Sequence, residues 1–196
     1  MEVVFYDKRS RKSGNFSPPP PLTGIKRVNS VKILGVTFSD HLSVEDHVHA
    51  VISSAAQTLH ALRVLRGHGM DDAALQTVFR AVVMSKLLYA SCAWSGFSTV
   101  ADREKINSFI RRSVRAGFAP ADSPDFGVLC RTADETLFRS IINNHNHVLF
   151  RLLPPQSSAS LKYNLRRRSH NLQIPVRINY LNDCNFINRM LYANLS

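Results

Sequence analysis

Residues 31–66 read VKILGVTFSDHLSVEDHVHAVISSAAQTLHALRVLR, and this stretch decides the predicted fold. Its first eight residues are rich in β-branched side chains and lead into polar turn residues, which is typical of a strand. Ser43, followed three residues later by Asp46, predicts the start of a helix, because both side chains can accept hydrogen bonds from first-turn amides. An apolar face with steps of three and four residues continues to Leu62, and Gly67 ends the predicted helix.

Three more helices are predicted downstream, each with a capping signal and an apolar face. They begin at Asp71 or Asp72, near Thr99, and at Thr132 with Glu135 as its capping-box partner. The last of them is predicted to run to the proline pair at 154–155. The predicted fold class is therefore mainly α, a bundle of about four helices. A small N-terminal β-hairpin of residues 2–7 and 31–38 precedes the bundle, and an irregular basic tail follows it.

The positive charge lies at the two ends of the chain. Of the net charge of +11, residues 1–35 supply seven Lys or Arg against two acids, and residues 159–196 supply six against one. The 123 residues between them are nearly neutral. Each Lys or Arg placed near a phosphate releases counterions, so this asymmetry favours a nucleic-acid partner. The alternative is a solvated basic surface without a partner.

Other classes of protein fit the sequence poorly. Cys92, Cys130 and Cys184 are odd in number and far apart, which argues against a disulfide framework and favours a reduced, intracellular compartment, nucleus or cytoplasm. The first twenty residues lack the apolar core of a signal peptide. The most apolar run, residues 81–97, contains Lys86 and is predicted to be a buried helix rather than a membrane span. No catalytic pairing and no metal site is predicted.

Candidate nucleic-acid contacts come from the hairpin, the third helix and the tail. Arginines would contact phosphates, and Tyr or His rings would stack on unpaired bases. The candidates are Lys32, Arg111, Arg112, Arg115, Tyr163, Arg166, Arg167, Arg168, His170, Arg177 and Arg189. For the helix, the alternative is a solvated cationic face. For the tail, it is packing on the helices through the apolar side chains Leu172, Ile174, Phe186 and Leu191.

Two motifs carry a resemblance to a known family. Residues 31–36 read Val-Lys-x-Leu-Gly-Val and lead through a short acidic turn into a helix with His47 near its start. Residues 163–171 follow the pattern Tyr-Asn-Leu-Arg-x-Arg-x-His-Asn, and residues 186–192 follow Phe-Ile-x-Arg-x-Leu-Tyr. The first motif resembles the segment just after the palm of the reverse transcriptases of non-LTR (LINE-type) retrotransposons. The second pattern is similar to the C-terminal ending of many animal polyproteins of such elements.

The resemblance implies a domain order. Residues 1–40 would be the end of the palm with a primer-grip-like hairpin, residues 41–155 a helical thumb, and residues 156–196 a basic C-terminal extension. The parent activity would be RNA-directed DNA synthesis, and the partners would be RNA or an RNA/DNA duplex together with the palm and fingers of the same polyprotein.

The chemistry implied by the family lies outside this sequence. The family's catalytic aspartates, and the magnesium that they bind, would lie upstream of residue 1. The chain alone is therefore expected to hold no cofactor and to be inactive as a polymerase. Two alternatives remain open, a free-standing basic RNA-binding module and a non-functional relic of a degraded element.

Overall fold

The computed structural model describes residues 1–6, 17–157 and 170–193 of the chain. The predicted mainly α fold class is confirmed. The α-helices, numbered along the chain, are α1 Glu45–Gly67, α2 Asp72–Val78, α3 Ser85–Leu88, α4 Ser91–Trp94, α5 Val100–Arg115, α6 Phe126–Asn143, α7 Tyr180–Cys184 and α8 Phe186–Ala193. A π-helical segment, Phe79–Met84, joins α2 to α3, and short 3₁₀ helices cover Ser95–Phe97 and Phe150–Leu152.

The β-hairpin is present, but its strands are not the predicted ones. Residues 31–38 do not form a single strand; β1 (Ser30–Ile33) pairs antiparallel with β2 (Val36–Ser39). Leu34 and Gly35 form the turn between them with φ angles of 46° and 92°. Two positive φ angles are the geometry of the tight turn whose twist matches that of paired strands. The predicted partner segment contributes only one isolated bridge among its described residues, between Glu2 and Arg27.

The main core is built around Trp94. Its ring stacks on Phe126 at 5.6 Å between centroids and meets His47 edge-on at 5.0 Å. Its indole Nε1 donates a hydrogen bond to the Tyr89 carbonyl, 2.9 Å away. The apolar face of α1 packs against this centre, with Val48 and Leu62 almost fully buried. The predicted face of α1 is therefore its core face.

The helix starts agree with the prediction only in part. Thr99 and Asp102 form the reciprocal cap of α5, and the Asp71 carboxylate accepts from the Ala74 amide at 2.6 Å at the start of α2. The predicted capping box at Thr132 is wrong, because α6 already begins at Phe126 and Thr132 lies inside it.

The predicted end of α6 and the start of α1 also need correction. Helix α6 ends at Asn143 instead of the proline pair, since the Asn144 side chain accepts from the Asn146 amide and starts a turn. Helix α1 begins at Glu45, one residue later than a Ser43 cap would place it, although Ser43 Oγ still accepts from the Glu45 amide at 3.3 Å.

A second apolar cluster joins the tail to α6. Phe138 of α6 packs with Met190 and Leu191 of α8, and Leu172 and Phe186 cover them. The prediction of an irregular tail is wrong for residues 180–193, which form α7 and α8. The tail was also predicted to be able to pack on the helices through four apolar side chains. Three of them, Leu172, Phe186 and Leu191, do so.

Candidate nucleic-acid interface

The C-terminal half of α5 exposes three of the predicted arginines. Ile106 and Ile110 of α5 are buried against the main core. Arg111, Arg112 and Arg115 lie on the exposed part of the helix, as its amphipathic pattern predicts. We call these three residues the α5 cationic end.

The three arginines differ in their partners. Arg111 forms an ion pair with Glu104, which lowers the pKa of that carboxyl, and also donates to the Ser108 hydroxyl at 2.9 Å. Arg112 and Arg115 form no ion pair or side-chain hydrogen bond with any of the described residues. Their charge is thus the part of the α5 cationic end that is free to meet a phosphate.

Arg66 fixes the position of the α5 cationic end. From the last turn of α1, its guanidinium donates to the Ala116 carbonyl at 2.7 Å and lies 4.0 Å from the centre of the Phe118 ring. Gly117, with φ of 74°, lets the chain turn after α5, and the Phe118 amide then donates to the Ser113 carbonyl. The C-terminal ends of α1 and α5 are therefore held together. Sequence reasoning missed this role, since Arg66 reads there as one more basic residue on α1.

Lys32 lies away from this end. It is exposed on β1, and together with burial, the larger effect, its charge lowers the pKa of His47 in the first turn of α1. From His47 to Arg66, α1 rises through roughly 28 Å at 1.5 Å per residue. Lys32 and the α5 cationic end thus lie toward opposite ends of α1.

His170 has a structural role. It is only 6% exposed, its Nε2 donates to the Leu191 carbonyl at 3.2 Å, and its Nδ1 accepts from the Leu172 amide. Its ring also meets Phe138 edge-on at 5.7 Å. Packing therefore occupies most of the ring and takes the place of the predicted stacking role of His170.

Arg189 is likewise engaged inside the protein. Its Nη1 donates to Asp134 Oδ2 at 2.6 Å, its Nη2 to the Cys92 carbonyl at 3.0 Å, and its Nε to the Cys184 carbonyl at 3.2 Å. Asp134 itself is 3% exposed. Arg189 therefore connects α8 to α6 and α4 instead of contacting a phosphate.

The remaining candidates in the tail differ from His170 and Arg189, which are engaged inside the protein. Arg177 is exposed and lies 4.5 Å from the centre of the Tyr192 ring, which leaves its charge at the surface. Tyr163, Arg166, Arg167 and Arg168 lie outside the described residues.

The docked tail leaves no room for a side chain at Gly96. A Cβ there would lie 2.1 Å from the Cys184 carbonyl oxygen and 2.6 Å from Arg189 Nε. We expect Gly96→Ala to cost about 1–3 kcal/mol of unfolding free energy, since the backbone of the tail must move. Urea unfolding followed by circular dichroism measures this. Gly127→Ala is the control: a Cβ there meets nothing within 4 Å, so equal losses in the two variants would contradict the expected clash.

In the described part of the chain, metal ligation would need grouped ligands and thiol reactivity a low cysteine pKa. Within it, no group of three or more His, Cys, Asp or Glu is placed to hold a metal ion. Burial, followed by the nearby Asp134 carboxylate, raises the pKa of Cys92 to about 12. Burial also raises the pKa of Cys130, to about 11. Both thiols are therefore protonated at neutral pH and are poor nucleophiles.

The α5 cationic end is thus the best-defined candidate interface.

Among the described helices, none combines the length and the apolar character that crossing a bilayer requires. Comparison of the chain with protein-family models, with curated proteins and with solved structures gives no match.

Proposed function

We propose that this chain binds RNA or an RNA/DNA duplex, as the thumb and C-terminal part of a non-LTR retrotransposon reverse transcriptase. The observation that carries the proposal is the pair Arg112 and Arg115, exposed and without ion pairs among the described residues, on a helix anchored in the core. In this proposal the chain holds template and primer, while the rest of the polyprotein supplies the catalytic aspartates and magnesium.

The spacing of the two arginines suits a phosphate backbone. Positions three apart on a helix lie about 5–6 Å from each other at Cβ, so both guanidinium groups can reach one phosphate or two neighbouring ones. Arginine also donates two parallel hydrogen bonds to a phosphate, which adds geometry to charge. A competing role exists, since cations near a helix C-terminus stabilise the helix by about 0.3–1 kcal/mol. Binding and stability must therefore be measured separately.

The test removes both charges at once. We expect Arg112→Ala/Arg115→Ala to weaken binding to an RNA/DNA duplex and to an RNA hairpin, and to reduce the slope of log K against log salt by about two. Fluorescence anisotropy at several salt concentrations gives both quantities, and urea unfolding shows whether the variant is still folded.

The control is Arg131→Ala/Arg139→Ala. It removes the same charge from exposed positions of α6. Equal loss of affinity in the two double variants would show that only net charge matters and would contradict an interface at the α5 cationic end. Weak binding to any polyanion would then fit a relic of a degraded element, whereas nanomolar binding selective for one RNA structure would favour a free-standing module.

A further inference from the structure

A cavity of about 590 Å³ lies where the tail meets the end of α6. One wall is a short antiparallel pairing in which the Ser157 amide donates to the Asn171 carbonyl at 2.9 Å and the Gln173 amide donates to the Pro155 carbonyl at 2.8 Å. The 3₁₀ helix Phe150–Leu152 contributes another wall. The volume falls within the range of roughly 300–1,000 Å³ that is usual for ligand pockets. The cavity is thus large enough for a small organic ligand.

Two rings line this cavity, and each offers its own flat face. The His145 ring lies 4.6 Å from the Phe150 ring, centre to centre, at an angle of 47°. His145, which lies just beyond the end of α6, is exposed, and Phe150 is half-buried. Ile142 and Leu153 line the cavity nearby. A planar heterocycle can stack on such rings whichever base it is, since every base has a π face.

The polar lining favours an anionic ligand. Arg151 lines the cavity, is exposed, and forms no ion pair among the described residues. Gln156 also lines it and is exposed, and its amide offers both donors and an acceptor to a base edge. None of the described lining residues is Asp or Glu. The positive charge of Arg151 favours a ligand with a phosphate, and the rings favour a ligand in which a planar group is attached to that phosphate.

We propose that this cavity binds one unpaired nucleotide of an RNA strand. The base stacks on the His145 ring beside the tilted ring of Phe150, Gln156 reads its edge, and Arg151 contacts its phosphate. This inference rests on the proposed function, since it assumes that the chain binds RNA, and it adds a second site that takes a single-stranded nucleotide.

The first experiment compares 5′-AMP with ribose 5-phosphate, which carry the same phosphate with and without a base. NMR titration of the full chain follows the side-chain signals of His145, Arg151 and Gln156. We expect AMP to shift all three and ribose 5-phosphate to shift only Arg151. Equal shifts with the two compounds, or no shift at His145 with AMP, would overturn the proposal.

The second experiment uses octaadenylate RNA and variants of exposed residues that should not disturb folding. We expect His145→Ala to weaken binding by about 5- to 150-fold, the range for loss of one stacked base. Arg151→Ala should lower the salt slope by about one, and Arg139→Ala, on α6 but outside the cavity lining, should change neither quantity.

The two proposals fail separately. Octaadenylate binding that depends on Arg112 and Arg115 but is unchanged by His145→Ala overturns the nucleotide site and keeps the proposed function. Base-dependent AMP binding at His145 in a chain whose RNA affinity is unaffected by Arg112→Ala/Arg115→Ala keeps the nucleotide site and overturns the interface on α5.

Discussion

Arg189→Ala is expected to lower the free energy of unfolding by about 3–5 kcal/mol, because it leaves the buried Asp134 carboxylate without its cation. Arg189 Nη1 is 2.6 Å from Asp134 Oδ2, and the same guanidinium holds the carbonyls of Cys92 and Cys184. Its loss removes the polar link between α8 and the helices beneath it. Urea unfolding followed by far-UV circular dichroism measures the change.

The matched control for this prediction is Arg177→Ala. Arg177 lies in the same tail but is exposed, and its contact with the Tyr192 ring is worth about 0.5–1 kcal/mol. A further variant, Asp134→Leu/Arg189→Met, removes both charges and should recover much of the loss, since an apolar pair of similar size has no charge to desolvate. If Arg189→Ala costs no more than Arg177→Ala, the buried ion pair is not what anchors the tail.

Trp94→Ala is expected to cost about 3–5 kcal/mol as well, through a cavity at the centre of the main core. Trp94 is fully buried and stacks on Phe126, while His47 meets its ring edge-on. The Tyr89 carbonyl would also lose the hydrogen bond from the indole. Unfolding has to be followed by circular dichroism, since the chain has a single tryptophan and the variant has none.

Two comparisons separate the contributions to this loss. Trp94→Phe keeps a buried ring but removes the hydrogen bond, so it should cost clearly less than the alanine variant. Val100→Ala changes a side chain that is 84% exposed and should stay within about 0.5 kcal/mol of the unaltered protein. Unfolding of Trp94→Ala at the same urea concentration as the unaltered protein would mean that this core does not depend on Trp94.

Caps explain which helix starts could be predicted. Thr99 with Asp102 and the Asp71 cap depend on side chains that reach a backbone amide three residues away, so the local sequence is sufficient. The start of α6 could not be found this way, because the Phe126 amide donates to Asn107 Oδ1 of α5 at 2.8 Å. That partner is 19 residues away. The start of this helix was therefore predicted at the local capping signal of Thr132, where the backbone is already helical.

The strands of the hairpin were also predicted wrongly because a contact from a distant part of the sequence stabilises the turn. A turn with two positive φ angles usually carries Asn-Gly or Asp-Gly, and Leu34 with Gly35 gives no such signal. Tyr89 stabilises the turn from outside, by donating its hydroxyl to the Leu34 carbonyl at 3.1 Å. Tyr89 is 55 residues from Leu34, so the local sequence does not show this contact and predicts an unbroken strand over residues 31–38.

The sequence by itself determined that the protein is mainly α and that Arg111, Arg112 and Arg115 lie on the outer face of α5. Helical periodicity is a local property that sorts apolar from charged side chains within one element. Only the tertiary structure decided that Arg189 and His170 turn inward while Arg177 stays at the surface. Burying a charged or polar group is favourable only where partners compensate for its lost hydration. Asp134 meets Arg189 only when the tail packs on α6, and the Leu191 carbonyl meets His170 only when two parts of the tail that are 21 residues apart fold against each other.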